Sequence, residues 1–201
     1  MKKEDIINKK IALAEKAIQE LLKVGNLKKL PEQTASQIAG FYETKALNRI
    51  QTAKLIYNAS KKQQDAYTDY SETVAAAYYS MYYIVHAYLA VAYKTKLKED
   101  LRGVHAITQN LILYYLVKTN KLAQHLYGEY LKTLEATSAI LTMESFKEKA
   151  FDYSDKYSQS KDARETFTYK TTPSIEAYHA EHAIKTAEKF INTIRQLMII
   201  K

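Results

Sequence analysis

Apolar residues recur at three- and four-residue steps through Ile7, Ile11, Ala14, Ile18 and Leu21, with Lys and Glu between them. That spacing predicts an amphipathic helix over residues 4–24, closed by the stop signal Gly25-Asn26. The segment through Leu30-Pro31 reads as a connector. A second helix is predicted from Gln37 to Ser60, with Ile38, Phe41, Leu47, Ile50 and Ile56 among its apolar positions, and residues 61–65 as a polar loop. From Tyr70 to Tyr93 the chain is apolar nearly all round, which marks the central, most buried helix. A charged loop follows over 94–103, then a fourth helix over 104–118 and a break near Asn120. Residues 122–158 carry helical periodicity as one long helix or two, and 154–170 turn polar. Thr172-Pro173 then opens a last helix running to Ile199: Thr is a good N-cap, Pro suits the first helical position, and Glu176 falls in the first turn.

The chain's 4 Gly and 2 Pro are too few for a turn-rich sheet fold and suit long helices with short connections. The expected fold is therefore all-α: an antiparallel up-and-down bundle of four to five long helices over residues 41–201, with residues 1–40 as a basic N-terminal helical extension. Cysteine is absent, which excludes disulfides and thiolate chemistry. No apolar run approaches the roughly 18 residues of a membrane span, and the start enters an amphipathic helix rather than a signal peptide. A cytoplasmic protein with no membrane association is the expectation.

The formal net charge of +8 is unevenly spread. Residues 1–62 hold 13 Lys/Arg against 6 Asp/Glu, a net of +7, so the basic excess sits in the N-terminal third. Such an excess suits a polyanion, or else a lysine-rich solvated face. The 18 tyrosines include pairs one turn apart, Tyr78–Tyr82 and Tyr79–Tyr83. With Ala, Met, Ile and Val around them they read first as packing; stacking on nucleobases is the functional alternative.

The string Ala77-Tyr78-Tyr79-Ser80-Met81-Tyr82-Tyr83, continuing through His86-Ala87-Tyr88-Leu89-Ala90, resembles the second core helix of HEPN domains, in their small stand-alone, toxin–antitoxin-like branch. Gly103-Val104-His105 opening the next helix, Leu116 to Leu122 closing it, Arg164 with Tyr169 ahead of the last helix, and the amphipathic Ser174–Ile199 fall in the order of that branch. The resemblance covers residues 41–201. It implies a helical bundle that pairs as a homodimer and acts on RNA. In active members an Arg-x4–6-His motif from each protomer meets at the dimer cleft. The Arg holds the scissile phosphate in its planar fork, and the His moves the proton of the 2′-hydroxyl. Carried onto this chain, the catalytic candidates are Arg164 and Tyr169. Tyr stands where a His is expected, and its ordinary pKa near 10 makes it a poor base at neutral pH. Two readings follow: a metal-independent endoribonuclease or RNA/nucleotide binder without cofactor, and a non-catalytic subunit pairing with a small nucleotidyltransferase.

Arg102 and His105, at the start of the fourth helix, are the candidate phosphate-facing pair, because free backbone N–H groups there favour anions. His86 reads as a hydrogen-bonded core histidine. Glu176, His179 and His182 sit at i, i+3 and i+6 on the last helix. Glu-x-x-His occurs in carboxylate-bridged metal bundles, but those need a second copy on a facing helix, and the chain has none. A solvated histidine pair is the plainer reading, and no metal site is expected.

Overall fold

A computed structural model describes residues 3–62, 68–98, 101–138 and 176–199. The elements are α1 (Lys3–Lys23), β1 (Leu27–Lys29), α2 (Glu32–Lys62), α3 (Tyr70–Tyr93), β2 (Thr95–Leu97) and α4 (Val104–Ile112). A π-helical turn, Leu113–Val117, prolongs α4; residues 124–138 are helical (α5), and α6 spans Ala177–Ile199. The chain is an all-α helical bundle, with a two-stranded ribbon among the described residues. Among the described residues no helix is long and apolar enough to cross a membrane.

The pairing of α2 with α3 organises the rest. Ala46 and Ala53 on α2 and Ala76, Ala77 and Ala87 on α3 are fully buried. Contacts run in opposite senses along the two helices: Tyr42 stacks on Tyr83, Arg49 pairs with Glu72, and Tyr57 meets Tyr70. The helices are therefore antiparallel. At the turn between them, Asp69 caps α3 by accepting from the Glu72 N–H at 2.9 Å, while its own N–H donates to the buried Ser60 hydroxyl. α6 lies antiparallel to α2, through Glu43–Arg195, Lys54–Glu188 and Tyr57–Glu181. Its Phe190 stacks on Tyr130 of α5.

α3 runs over Tyr70–Tyr93 as predicted and carries the most buried surface. Elsewhere some element boundaries differ from the expectation. α2 begins at Glu32 rather than 37, because Pro31 is tolerated at a helix start and its carbonyl accepts the Ala35 N–H. The expected division at residue 40 falls inside this helix, and Ala14 and Ile18 of α1 belong to the same core as α3. The supposed loop after α3 contains β2, which pairs antiparallel with β1.

An Ala53→Leu substitution inserts three carbons into the α2–α3 seam. It is expected to cost about 1–3 kcal/mol, read as a lower urea midpoint with unchanged m-value. An unchanged midpoint would show that the seam is loose.

Candidate nucleic-acid interface

One turn separates Tyr79 from Tyr83 on α3, and both rings are half-buried. They stack with centroids 6.4 Å apart and planes inclined by 30°. Tyr42 of α2 extends the stack, lying 6.0 Å from Tyr83 at 21°. Two cations from α2 sit over the rings. Lys45 Nζ is 4.6 Å from the Phe41 centroid and 5.2 Å from that of Tyr83; the Arg49 guanidinium is 5.9 Å from Tyr79. Phe41 is 56% exposed, so an apolar ring faces solvent beside a lysine. The positions 41, 42, 45 and 49 line one side of α2 because i, i+3 and i+4 residues share a helix face. Among the described residues no carboxylate pairs with Lys45, while Arg49 has Glu72 at 4.0 Å.

Behind this surface lies a buried polar chain. The Tyr78 hydroxyl is 2.7 Å from His105 Nδ1 and 3.3 Å from the hydroxyl of the fully buried Tyr130. All three groups are satisfied when Tyr130 donates to Tyr78 and Tyr78 donates to Nδ1, which leaves the proton of the neutral ring on Nε2. His105 also packs against Tyr79 and Tyr82, with centroids 5.9 and 5.4 Å away. Deeper still, His86 Nε2 lies 3.1 Å from Thr108 Oγ1, whose own proton goes to the Val104 carbonyl. Nε2 of His86 is therefore the donor.

Burial governs the charge state of these groups. It pushes the Tyr82 phenol up to about 12 and lifts Tyr78 and Tyr130 well above their ordinary range. Burial, and then the neighbouring His105, lowers His86 to about 4; desolvation also lowers His105. At neutral pH the tyrosines are protonated and both histidines uncharged. Fixed positive charge on this face comes from Lys45 and Arg49.

The residues singled out from sequence separate spatially and chemically. Arg102 is exposed in the turn before α4, whereas His105 is turned onto Tyr78. Gly103 caps α4 with φ 70° and without a side-chain hydrogen bond. Arg164 and Tyr169 lie outside the described residues. His179 Nδ1 accepts the Glu176 N–H at 3.2 Å, and its ring lies against Tyr178. His182 Nε2 instead approaches Glu129 Oε2 at 3.6 Å. Among the described residues no group of three or more His, Cys, Asp or Glu side chains is placed to hold a metal ion. Lys45 and Arg49 were not singled out, because the α2–α3 register that sets them over the tyrosines is a tertiary fact. Their i, i+4 spacing from Phe41 onward was the available signal.

Comparison of the chain with protein-family models, curated proteins and solved structures returns no match.

The buried His86 gives the fold a pH dependence of definite sign. His86 titrates lower when folded than when unfolded, so between pH 6.5 and 4 the unfolded chain binds more protons. Stability is full above the unfolded value and falls as pH drops through that window, by up to about 1.4 kcal/mol per pH unit from this group. Urea midpoints at pH 6.5 and 5 should show the fall, and His86→Asn should reduce its slope. Equal slopes in the two proteins would contradict the assignment.

Proposed function

We propose that this chain binds RNA through the ring-and-cation face of α2 and α3, as a HEPN-like helical bundle. The observation that supports the reading is the placement of Lys45 and Arg49 over Phe41, Tyr83 and Tyr79. Single-stranded nucleic acid is held by two kinds of group: rings on which unstacked bases lie, and cations that meet the phosphates between them. Both occur here side by side on two adjacent helices. Metal-independent cleavage by Arg164 and Tyr169 at a dimer cleft is the catalytic extension of the proposal, and it rests on the family resemblance alone.

Fluorescence anisotropy with a labelled oligo-uridine tests the binding. The double variant Lys45→Ala/Arg49→Ala is expected to weaken affinity tenfold or more, the equivalent of at least about 1.4 kcal/mol. Tyr83→Leu, which keeps an apolar side chain and removes the stacking face, should cost about 1–3 kcal/mol. Unchanged affinity in both would overturn the proposal. Cleavage that persists in chelator and disappears in Arg164→Ala would support the catalytic extension; RNA left intact by the wild-type chain would reject it.

A further inference from the structure

His105 joins the ring face to the buried hydrogen-bond chain behind it. Its ring packs against Tyr79 and Tyr82, with centroids 5.9 and 5.4 Å away, so the imidazole extends the aromatic surface from α3 onto α4. Tyr79 thereby touches His105 from α4 and the Arg49 guanidinium from α2. Among the described residues only Nδ1 of the imidazole is hydrogen-bonded, to the Tyr78 hydroxyl at 2.7 Å. The ring is half-buried, and Nε2 lies across it from that bond.

The chain resists a charge on this ring. With His105 neutral, Tyr130 donates to Tyr78 and Tyr78 donates to Nδ1, and every proton has an acceptor. An added proton on Nδ1 must itself be donated to the Tyr78 oxygen. Tyr78 and Tyr130 then have each other as their only phenol partners among the described residues, and just one of their two protons can be accepted. The other is stranded in a buried site, which is costly. The remaining groups around the ring give no help. Tyr79 and Tyr82 are neutral phenols, His86 is uncharged, and Arg102 and Arg49 are cations. Glu72, beyond the Tyr79 ring, pairs with Arg49. Desolvation disfavours the imidazolium further.

A phosphodiester beside Nε2 changes that balance, because it supplies an anion and a strong acceptor for a charged donor. We infer that nucleic-acid binding on the ring face is coupled to uptake of a proton by His105, whose Nε2–H meets a phosphate next to the base stacked on Tyr79. The inference rests on the RNA-binding reading of that face and adds its regulation. Occupancy raises the proton affinity of His105, so by reciprocity a proton raises the affinity for RNA, and binding tightens as pH falls. The plainer account is a histidine that only packs behind the rings, and it predicts no link between its charge and RNA affinity.

Two measurements separate the accounts. Anisotropy with labelled oligo-uridine from about pH 8 to about pH 6.5 should show affinity rising threefold or more in the wild-type chain, where one linked proton allows at most about tenfold per pH unit. His105→Asn should remove most of that rise. Histidine-resolved NMR of the wild-type chain near pH 6.5 needs no variant. The His105 ring should be mainly neutral, with its proton on Nε2, in the free chain and charged in the complex with oligo-uridine. Affinity that ignores pH, a rise that is equal in His105→Asn, or a ring whose charge is the same in both states would overturn this inference and leave the RNA reading standing. A wild-type chain without affinity at any of these pH values would overturn both.

Discussion

The close antiparallel contact of α2 and α3 is the constraint on which the remainder of the molecule depends. The small residues Ala46 and Ala53 of α2 are fully buried, and Tyr42, Arg49 and Tyr57 reach across to Tyr83, Glu72 and Tyr70 of α3. On one side α6 and α5 fill the space, with Phe190 and Tyr130. On the other, Tyr42, Tyr79 and Tyr83 form a continuous stack that is only half covered, and Lys45 and Arg49 complete it. An aromatic surface with cations on it follows from the register of one helix pair.

Burial and charge are separated within that arrangement. Phenols and imidazoles that carry no charge occupy the interior, where ionisation would be costly, and they bond to one another: Tyr130 to Tyr78 to His105, and His86 to Thr108. Among the described residues no lysine or arginine is buried. The hydrogen bonds of Tyr78 to His105 and Tyr130 hold Tyr78 and His105 in place behind the rings packed in front. Rings held in this way would lose little entropy on stacking with a base, as the proposed binding requires.

The helical architecture was legible from spacing alone, most clearly for α3, whose unbroken apolar character left no other place for it than the centre. The ends of elements were harder. Pro31 reads as a connector until its carbonyl is seen capping α2, and the three-residue strand Thr95–Leu97 is too short for its alternation to stand out from a charged loop. The α4 helix gained a π turn at Leu113–Val117, which an apolar run does not distinguish from an ordinary helix. The tyrosine stripe was ambiguous between packing and stacking. Its residues divide: Tyr78 and Tyr88 are buried, and Tyr79, Tyr82 and Tyr83 are partly open. That division depends on where α2 and α4 lie, which no local pattern in α3 encodes. Arg102 and His105 are close in sequence yet serve differently, since the first turn of α4 directs His105 to Tyr78 and leaves Arg102 outside.

The central claim is that bases stack on the α2–α3 rings. Ultraviolet cross-linking of a photoreactive oligo-uridine, followed by mass spectrometry of the digested protein, reads the contact directly. Adducts on peptides containing Phe41, Tyr79 or Tyr83 are the predicted result. Efficient cross-linking confined to peptides from other parts of the chain, with none on α2 or α3, would contradict it.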